Sequence, residues 1–293
     1  WTLPGNVAVA AHPDVEYALV TADGMGEEKL ILAKNLIEKV FADRPVRILK
    51  TMKGKSLKGK RYAPLYTFFP PEKPAYYIVN ADYVTTDDGT GLVHIAPAFG
   101  MEDMEVAKQY DLPLIMTIDD EGRFLRQVHN WAGVFVKDAD PGIMQDLHDR
   151  GLLFDAGKVN HTYPFCWRCR TPLLYMARPT WFIKTSAIKD RMVELNQEIN
   201  WVPEHIKNGR FGNWLENNID WALGRNRYRG TPLPVWECPD CRHQVCAGSR
   251  QELSDLAEKD LSELELHRPY VDEVRFPCPK CGHGQMKRVV ELI

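Results

Sequence analysis

The chain has 293 residues, 44% of them apolar and 26% charged, with a formal net charge of -3. That length suits two or more ordinary domains, and that composition suits a soluble globular protein, not a fibrous or disordered one. No apolar run approaches the roughly 18 residues of a helical membrane span, and the negative balance excludes bulk attraction to nucleic acid or membrane, so any nucleic-acid surface must be local.

The chain opens on Trp1-Thr2-Leu3-Pro4, inside an apolar pattern, with neither an initial Met nor a signal peptide. It is therefore expected to be a segment of a longer protein. Val7 to Ala10 and Glu16 to Val20 read as strands around a His12-Pro13-Asp14 turn. Glu27 to Ala42 is predicted helical, because Leu30, Ala33, Ile37 and Phe41 share one stripe and Asp43-Arg44-Pro45 supplies a stop. Val46 to Leu49, Ala75 to Val84, Leu92 to Ile95 and Leu114 to Ile118 are predicted strands, with a short helix from Glu102 to Tyr110. Asp140 is predicted to cap a helix that has Pro141 at its first position and that Gly151 closes. Uneven strands with few helices between them predict an α+β chain. Its first part, residues 1–160, is expected to be an antiparallel β-barrel-like domain with short helices, not a Rossmann sheet.

Beyond about Pro164 the texture changes. Ala187 to Ile199 and Glu204 to Asn217 are predicted helices within a largely helical segment, residues 161–235. Residues 236–293 look too poor in large apolar side chains to build a core alone, which is the usual situation of a metal-held segment. One charged run stands out upstream: Lys50 to Arg61 holds six bases and no acid. A solvated loop is the plain reading and a local nucleic-acid surface the other.

Six of the seven cysteines form three C-x-x-C pairs: Cys166/Cys169, Cys238/Cys241 and Cys278/Cys281. Without secretory signals this pattern points to metal, not to disulfides. Cys238, Cys241, Cys278 and Cys281 predict a closed, structural zinc site of ribbon-like type. The 36 residues between the two pairs exceed a compact ribbon, so an insertion with a helix from Gln251 to Lys259 is expected there. Cys246, His243 and His283 read as bystanders. Cys166 and Cys169 lack two further ligands, which either lie outside the chain or leave this pair idle.

The stretch from Gly89 to Asp103, GTGLVHIAPAFGMED, carries glycines, one imidazole and a carboxylate nine residues beyond it. It has no serine or cysteine nucleophile. Taken alone, His94 reads as a structural histidine, Asp103 as a helix-start carboxylate, and Glu102 as its equal.

Together with Trp1 to Asn6, Tyr163 to Cys169, Gly209 to Leu215 and Arg225 to Pro234, in this order, that stretch resembles the isoleucyl-tRNA synthetase family of class I aminoacyl-tRNA synthetases. The resemblance implies a connective insertion whose barrel-like editing domain hydrolyses misacylated valyl-tRNA, followed by a return segment to the catalytic fold. It implies Asp103 and His94 as catalytic residues. It further implies that Trp1, Gly89, Thr90, Gly91, His94, Phe99, Gly100 and Asp103 bind the substrate, namely the 3′-terminal adenosine of tRNA and its valine. Asp103 would hold the α-ammonium by a charge-assisted hydrogen bond and water would be the nucleophile. The family resemblance, not the local pattern, selects Asp103 over Glu102. The need for editing follows from the small binding difference of one methylene, for which this family is the standard example.

The H-I-G-H and K-M-S-K-S motifs are absent, so ATP and Mg are expected to bind elsewhere in a full-length ligase. The resemblance also implies a monomeric, cytoplasmic protein that does not engage membranes. Gly224 and Arg229 stand where the family has Ser and Trp. The family's threonine-rich run would lie just before Trp1. His94 with Phe99-Gly100 favours the isoleucyl type over valyl or leucyl relatives, and a non-catalytic tRNA-docking module is the remaining alternative.

Overall fold

The computed structural model describes residues 1–42, 44–157, 162–225 and 232–292. Asp43 of the expected helix stop, the expected boundary at 160/161, and Arg229 with most of its motif lie outside them. The chain divides into two compact units, Trp1–Ala177 and Arg178–Ile293.

In the first unit, β1 (Ala8–Ala11), β2 (Glu16–Ala22), β3 (Leu30–Ala33), α1 (Ile37–Phe41), β4 (Val46–Lys53), β5 (Tyr77–Asn80), β6 (Leu92–Ile95), α2 (Met101–Tyr110) and α3 (Val136–Asp149) follow in order. They build two three-stranded sheets, β5-β1-β6 and β3-β2-β4. The pairings are antiparallel as expected, except that β1 and β5 run parallel. A parallel pair needs a long crossover, and here the whole second sheet lies between the two strands. The sheets are tied together by the Ala33 N–H donating to the Thr90 carbonyl at 2.8 Å and the Tyr17 hydroxyl donating to the Gly91 carbonyl at 2.6 Å.

Three expected elements differ. The helix from Glu27 to Ala42 is instead strand β3, a one-turn 3-10 segment (Lys34–Leu36) and the short α1. Leu30-Ile31-Leu32-Ala33 is a continuous apolar run, which helix and strand patterns both accept. Pairing with β2 decides it, with Tyr17 opposite Ala33 and Val20 opposite Leu30. Leu114 to Ile118 forms no strand; only Ile118 pairs, as an isolated bridge to Phe124. Pro113 precedes it without an amide to donate. The α3 helix begins four residues before Asp140 and takes Pro141 into its interior. Val136, Ala139, Ile143 and Leu147 make its buried stripe, and their burial outweighs the single amide that Pro141 removes. Asp140 accepts a hydrogen bond from the Trp1 amino group at 2.7 Å instead of capping a helix. Gly151, at φ +66, follows the helix end as predicted.

One core lies between the first sheet and α2, where Val7, Ala10, Val79, Ile95 and Val106 are buried. A second gathers Phe99, Ile118, Phe124, Trp131 and Ile143 beneath α3. The stretch from β6 to α2 runs between them, which fixes the segment that carries the candidate site at both ends.

The second unit contains β7 (Phe182–Ile183), α4 (Lys189–Glu198), α5 (Arg210–Glu216), β8 (Trp221–Ala222), β9 (Val235–Glu237), β10 (Gln244–Cys246), α6 (Arg250–Ala257), β11 (Phe276–Pro277) and β12 (Gln285–Arg288). The expected helix from Glu204 to Asn217 is broken into a 3-10 turn (Glu204–Ile206) and α5, because Gly209 adopts a non-helical φ of -88 and ψ of -121. The inserted helix α6 forms as expected. Ser249 Oγ caps the helix by accepting the Glu252 N–H at 3.1 Å, and Glu252 Oε2 reaches back to the Gly248 N–H at 2.7 Å, one residue before the cap. β10-β9-β12-β11 make a four-stranded antiparallel sheet. Trp236, Leu253, Val271, Phe276 and Met286 pack together into a small core, with Cys238 and Cys278 among them. The Arg288 side chain is fully buried and forms an ion pair with Asp272, which also takes Arg268. Its guanidinium also donates to the carbonyls of Leu233 at 3.3 Å, Val289 at 3.0 Å, Leu292 at 3.0 Å and Val290 at 3.2 Å.

Candidate functional site

Strand periodicity sets the starting point. In β6, Val93 and Ile95 face the first core, so His94 projects from the opposite face, beside Val9 of β1. There its Nε2 lies 2.9 Å from the Thr2 hydroxyl, while Nδ1 is buried without a hydrogen-bond partner among the described residues. Burial lowers the His94 pKa from its ordinary 6.5, and the Asp103 carboxylate pulls it the other way. The imidazole is therefore neutral near pH 7, with one nitrogen held by Thr2 and the other buried without a partner among the described residues.

Asp103 sits in the first turn of α2 and is partly buried, whereas Glu102 beside it is exposed. Its Oδ2 accepts the Ala96 N–H at 2.8 Å and its Oδ1 accepts the Tyr83 hydroxyl at 3.1 Å. Burial, followed by the Asp103 charge, raises the Tyr83 phenol well above its usual range, so it stays a donor. The carboxylate is thus held at both oxygens, and each retains a second lone pair. Gly100 caps the helix without a side-chain bond; a Cβ there would stand 3.2 Å from Asp103 Cγ. The Phe99 ring meets the Trp1 ring edge-on at 4.9 Å. Trp1, Thr2, His94, Phe99, Gly100 and Asp103 therefore belong to one neighbourhood. Beside it, Phe99, Met101, Met104, Tyr175 and Met176 line an apolar groove of about 340 Å³.

Gly89, Thr90 and Gly91 lie before the other end of β6. Gly89 is exposed at φ +69. Gly91, at φ +71, is buried so tightly that a Cβ would come within 2.5 Å of Ala33 Cβ. Its glycine is accounted for by sheet packing, with no appeal to a ligand.

Cys238, Cys241, Cys278 and Cys281 bring their sulfurs within 4.8 Å of one another. The Cys238–Cys281 and Cys241–Cys278 separations are 3.8 Å and 3.6 Å. A zinc ion at about 2.3 Å from four thiolates needs sulfur separations of about 3.8 Å, so the residues fit that ion. Backbone hydrogen bonds from Gly284 and His283 hold Cys281 down at about 6. Gly284 is required here, since a Cβ would reach 2.3 Å from Cys238 Sγ. Cys166 and Cys169 form a tight turn, with Cys166 donating its N–H to the Thr171 carbonyl at 2.8 Å. No third ligand joins them among the described residues. Cys246 ends β10, exposed.

A family model described as tRNA synthetases class I (I, L, M and V) matches residues 14–293. The chain belongs to the class I tRNA synthetases. Its class I relatives include the isoleucine–tRNA ligase of Thermus thermophilus, 50% identical over 296 residues, spanning 100% of this chain and 27% of that protein. Those of Clostridium novyi and Streptomyces avermitilis are 47% and 48% identical, each over 100% of this chain and 28% of the relative. The chain thus spans little more than a quarter of these class I proteins. A solved structure, the crystal structure of GlLeuRS-CP1, superposes with a TM-score of 0.41 at 16% identity, over 54% of this chain and 81% of that one.

Two residues of this class I segment escaped the sequence reading. Thr2 and Tyr83 hold His94 and Asp103, from 92 and 20 residues away. No periodicity marks them; Thr2 lies within the Trp1 to Asn6 motif, which was the available signal.

Proposed function

We propose that the chain is part of an isoleucine–tRNA ligase and that the unit Trp1–Ala177 hydrolyses valine wrongly esterified to tRNA. Whole-chain identity to isoleucine–tRNA ligases supports the parent activity. The observation that carries the hydrolytic reading is the pair His94 and Asp103: a neutral imidazole with one buried, unpartnered nitrogen, within electrostatic reach of a positioned carboxylate.

The aminoacyl ester is already activated, so orientation does most of the work. Asp103 binds the α-ammonium through the lone pairs that Ala96 and Tyr83 leave free. Thr2 holds the imidazole at Nε2, and the Nδ1 of His94, buried and unpartnered among the described residues, orients the water or contacts the ester once substrate enters. Trp1 and Phe99 bound the side-chain pocket.

Residues 236–293 form the zinc-holding segment in this reading, with Cys238, Cys241, Cys278 and Cys281 as ligands. A zinc there would supply structure and no open coordination position. Cys166 and Cys169 await two ligands from the rest of the ligase, which also supplies the ATP and Mg sites. Residues 161–235 lead back towards that part.

The test is to incubate the full-length ligase with valyl-tRNA, isoleucyl-tRNA and a panel of other mischarged tRNAs and follow release of each amino acid. Clearance of valyl-tRNA alone is expected. Preferential clearance of another mischarged tRNA would assign the chain to a valyl- or leucyl-type enzyme. The second reading, a non-catalytic docking module, is favoured by the bonds that already occupy both Asp103 oxygens. It predicts no release from either tRNA.

A further inference from the structure

The basic run near Lys50 occupies an unusual place in the first unit. Lys50 and Lys53 lie on β4, an edge strand of the β3-β2-β4 sheet. Lys60 and Arg61 lie along the edge of the other sheet: Ile78 of β5 donates its N–H to the Lys60 carbonyl at 2.8 Å, and Arg61 bridges Tyr77. Lys55 and Lys58 fill the connection. The run therefore forms one rim that passes from the edge of one sheet to the edge of the next.

The strand geometry aligns two of the charges, Arg47 and Lys50, while Lys53, opposite Glu16, lies on the other face. The β2–β4 register shifts between Leu19 and Val20, which leaves Leu49 as an extra residue. Without that bulge Arg47 and Lys50, three residues apart, would point to opposite faces. With it, Arg47 opposes Thr21 and Lys50 opposes Leu19, and those two share a face.

All seven bases from Arg47 to Arg61 are exposed, and none takes part in a salt bridge among the described residues. Lys53 donates to the Asp14 carbonyl and lies across the strands from Glu16, which is already paired with Lys34, and Lys58 lies over the Tyr110 ring. Lys34, Lys39, Lys73 and Lys108 of the same unit are each paired with a carboxylate, while Lys29, Arg44, Arg126 and Lys137 have no such pair among the described residues. What sets the run apart is therefore its density of bases and not their lack of partners alone. This concentration occurs in a chain whose acids outnumber its bases 40 to 37. Edge strands commonly carry lysine to discourage pairing with other strands. That accounts for Lys50 and Lys53, but not for the bases beyond β4.

We infer that this rim is a docking surface for the phosphate backbone of tRNA, placing an aminoacylated end on the unit that carries His94 and Asp103. The inference rests on the proposed function for the identity of the nucleic acid. The contacts are to phosphate and carry no base specificity. They add a salt-dependent term to affinity by releasing counterions.

The test measures binding of an isoleucine-accepting tRNA transcript to the full chain across a salt series. The variant is Lys50→Gln/Lys55→Gln/Lys60→Gln/Arg61→Gln, and the control is Lys39→Gln/Lys73→Gln/Lys108→Gln, which removes paired lysines. The rim variant is expected to weaken binding about tenfold or more and to reduce the slope of log K against log salt by about 3, at roughly 0.7–0.9 per lost contact. Circular dichroism verifies folding, and Lys55→Gln/Lys60→Gln, which spares β4, replaces a quadruple variant that misfolds. Equal losses in rim variant and control, or no loss in either, overturn the inference and leave edge protection as the role of these lysines. Failure of the unmutated chain to bind tRNA overturns the inference alone, and the proposed function is judged separately by valyl-tRNA hydrolysis in the full-length ligase. Rim-dependent binding without valyl-tRNA hydrolysis sustains the rim and removes the hydrolytic role.

Discussion

The carboxylate of Asp103 accepts the backbone N–H of Ala96 at 2.8 Å, which ties the first turn of α2 to the end of β6. The same group therefore has a structural and a chemical side, and substitutions can separate them. Asp103→Ala is expected to abolish valyl-tRNA clearance while leaving isoleucine activation intact. A buried ammonium without its carboxylate loses about 2–5 kcal/mol, or roughly 30-fold to several thousand-fold. Asp103→Ala also strands the Ala96 amide, at about 1–3 kcal/mol of stability. Asp103→Asn keeps an acceptor for that amide, so its stability should stay near wild type while clearance still falls. Glu102→Ala, on the exposed neighbour, should change neither. Deacylation rates with urea titrations of each variant decide; full clearance by Asp103→Asn would show that the negative charge is dispensable.

His94 gives a pH signature. Its folded pKa is lowered by burial, so the unfolded chain takes up the proton first as pH falls below about 6.5. Stability is then present above that value and is lost progressively on acidification, until the folded imidazole itself titrates. Urea midpoints at pH 7.5 and 5.5 should differ less in His94→Gln than in the unmutated chain. In activity, His94→Ala has two readable outcomes. New cleavage of isoleucyl-tRNA marks a residue that bounds the pocket, and loss of valyl-tRNA clearance alone marks one that acts on ester or water.

Metal analysis of reduced protein should return one zinc per chain. Chelation should unfold the unit Arg178–Ile293 and spare Trp1–Ala177, because metal binding at such sites is folding free energy. Gly284→Ala is a sharper probe than removal of a ligand. It retains all four thiols but drives a methyl group into Cys238 Sγ, so zinc affinity should fall with the cysteine count unchanged. Full zinc occupancy at wild-type affinity in that variant would show that the four sulfurs are not held as described.

Gly91→Ala should destabilise the first unit by about 1–3 kcal/mol or more through overpacking against Ala33, with added strain at φ +71. Gly89→Ala lacks that overlap and carries only the backbone strain at φ +69. If tRNA needs close approach at Gly89, that variant should raise KM for valyl-tRNA more than it lowers the urea midpoint.

The meeting of the two paired knuckles was legible because each is a dense local motif, whereas His94 and Asp103 stood out only through the family resemblance, since the local pattern offers Glu102 equally. Thr2 and Tyr83 were not legible, since their roles exist only once distant segments meet. The fold shows the same division. Ser249 with Glu252 announced α6 locally. Leu30 to Ala33 could not announce β3, because the partner that makes it a strand is β2. Pro141 was read as a helix start from its own conformational preference, whereas Val136 and Ala139, buried beneath the helix, set the start earlier.

Arg288 places a different kind of limit on the molecule. One planar cation satisfies four carbonyls and a carboxylate in a place that water does not reach. A lysine there has too few donors and the wrong shape, and any neutral residue leaves Asp272 with Arg268 as its remaining cation and four carbonyls without this donor. A single substitution of this arginine is therefore expected to be strongly destabilising unless Asp272, Leu233 and the loop from Val289 to Leu292 change with it. The position is evolutionarily trapped by its neighbours, independently of whatever the chain binds or hydrolyses.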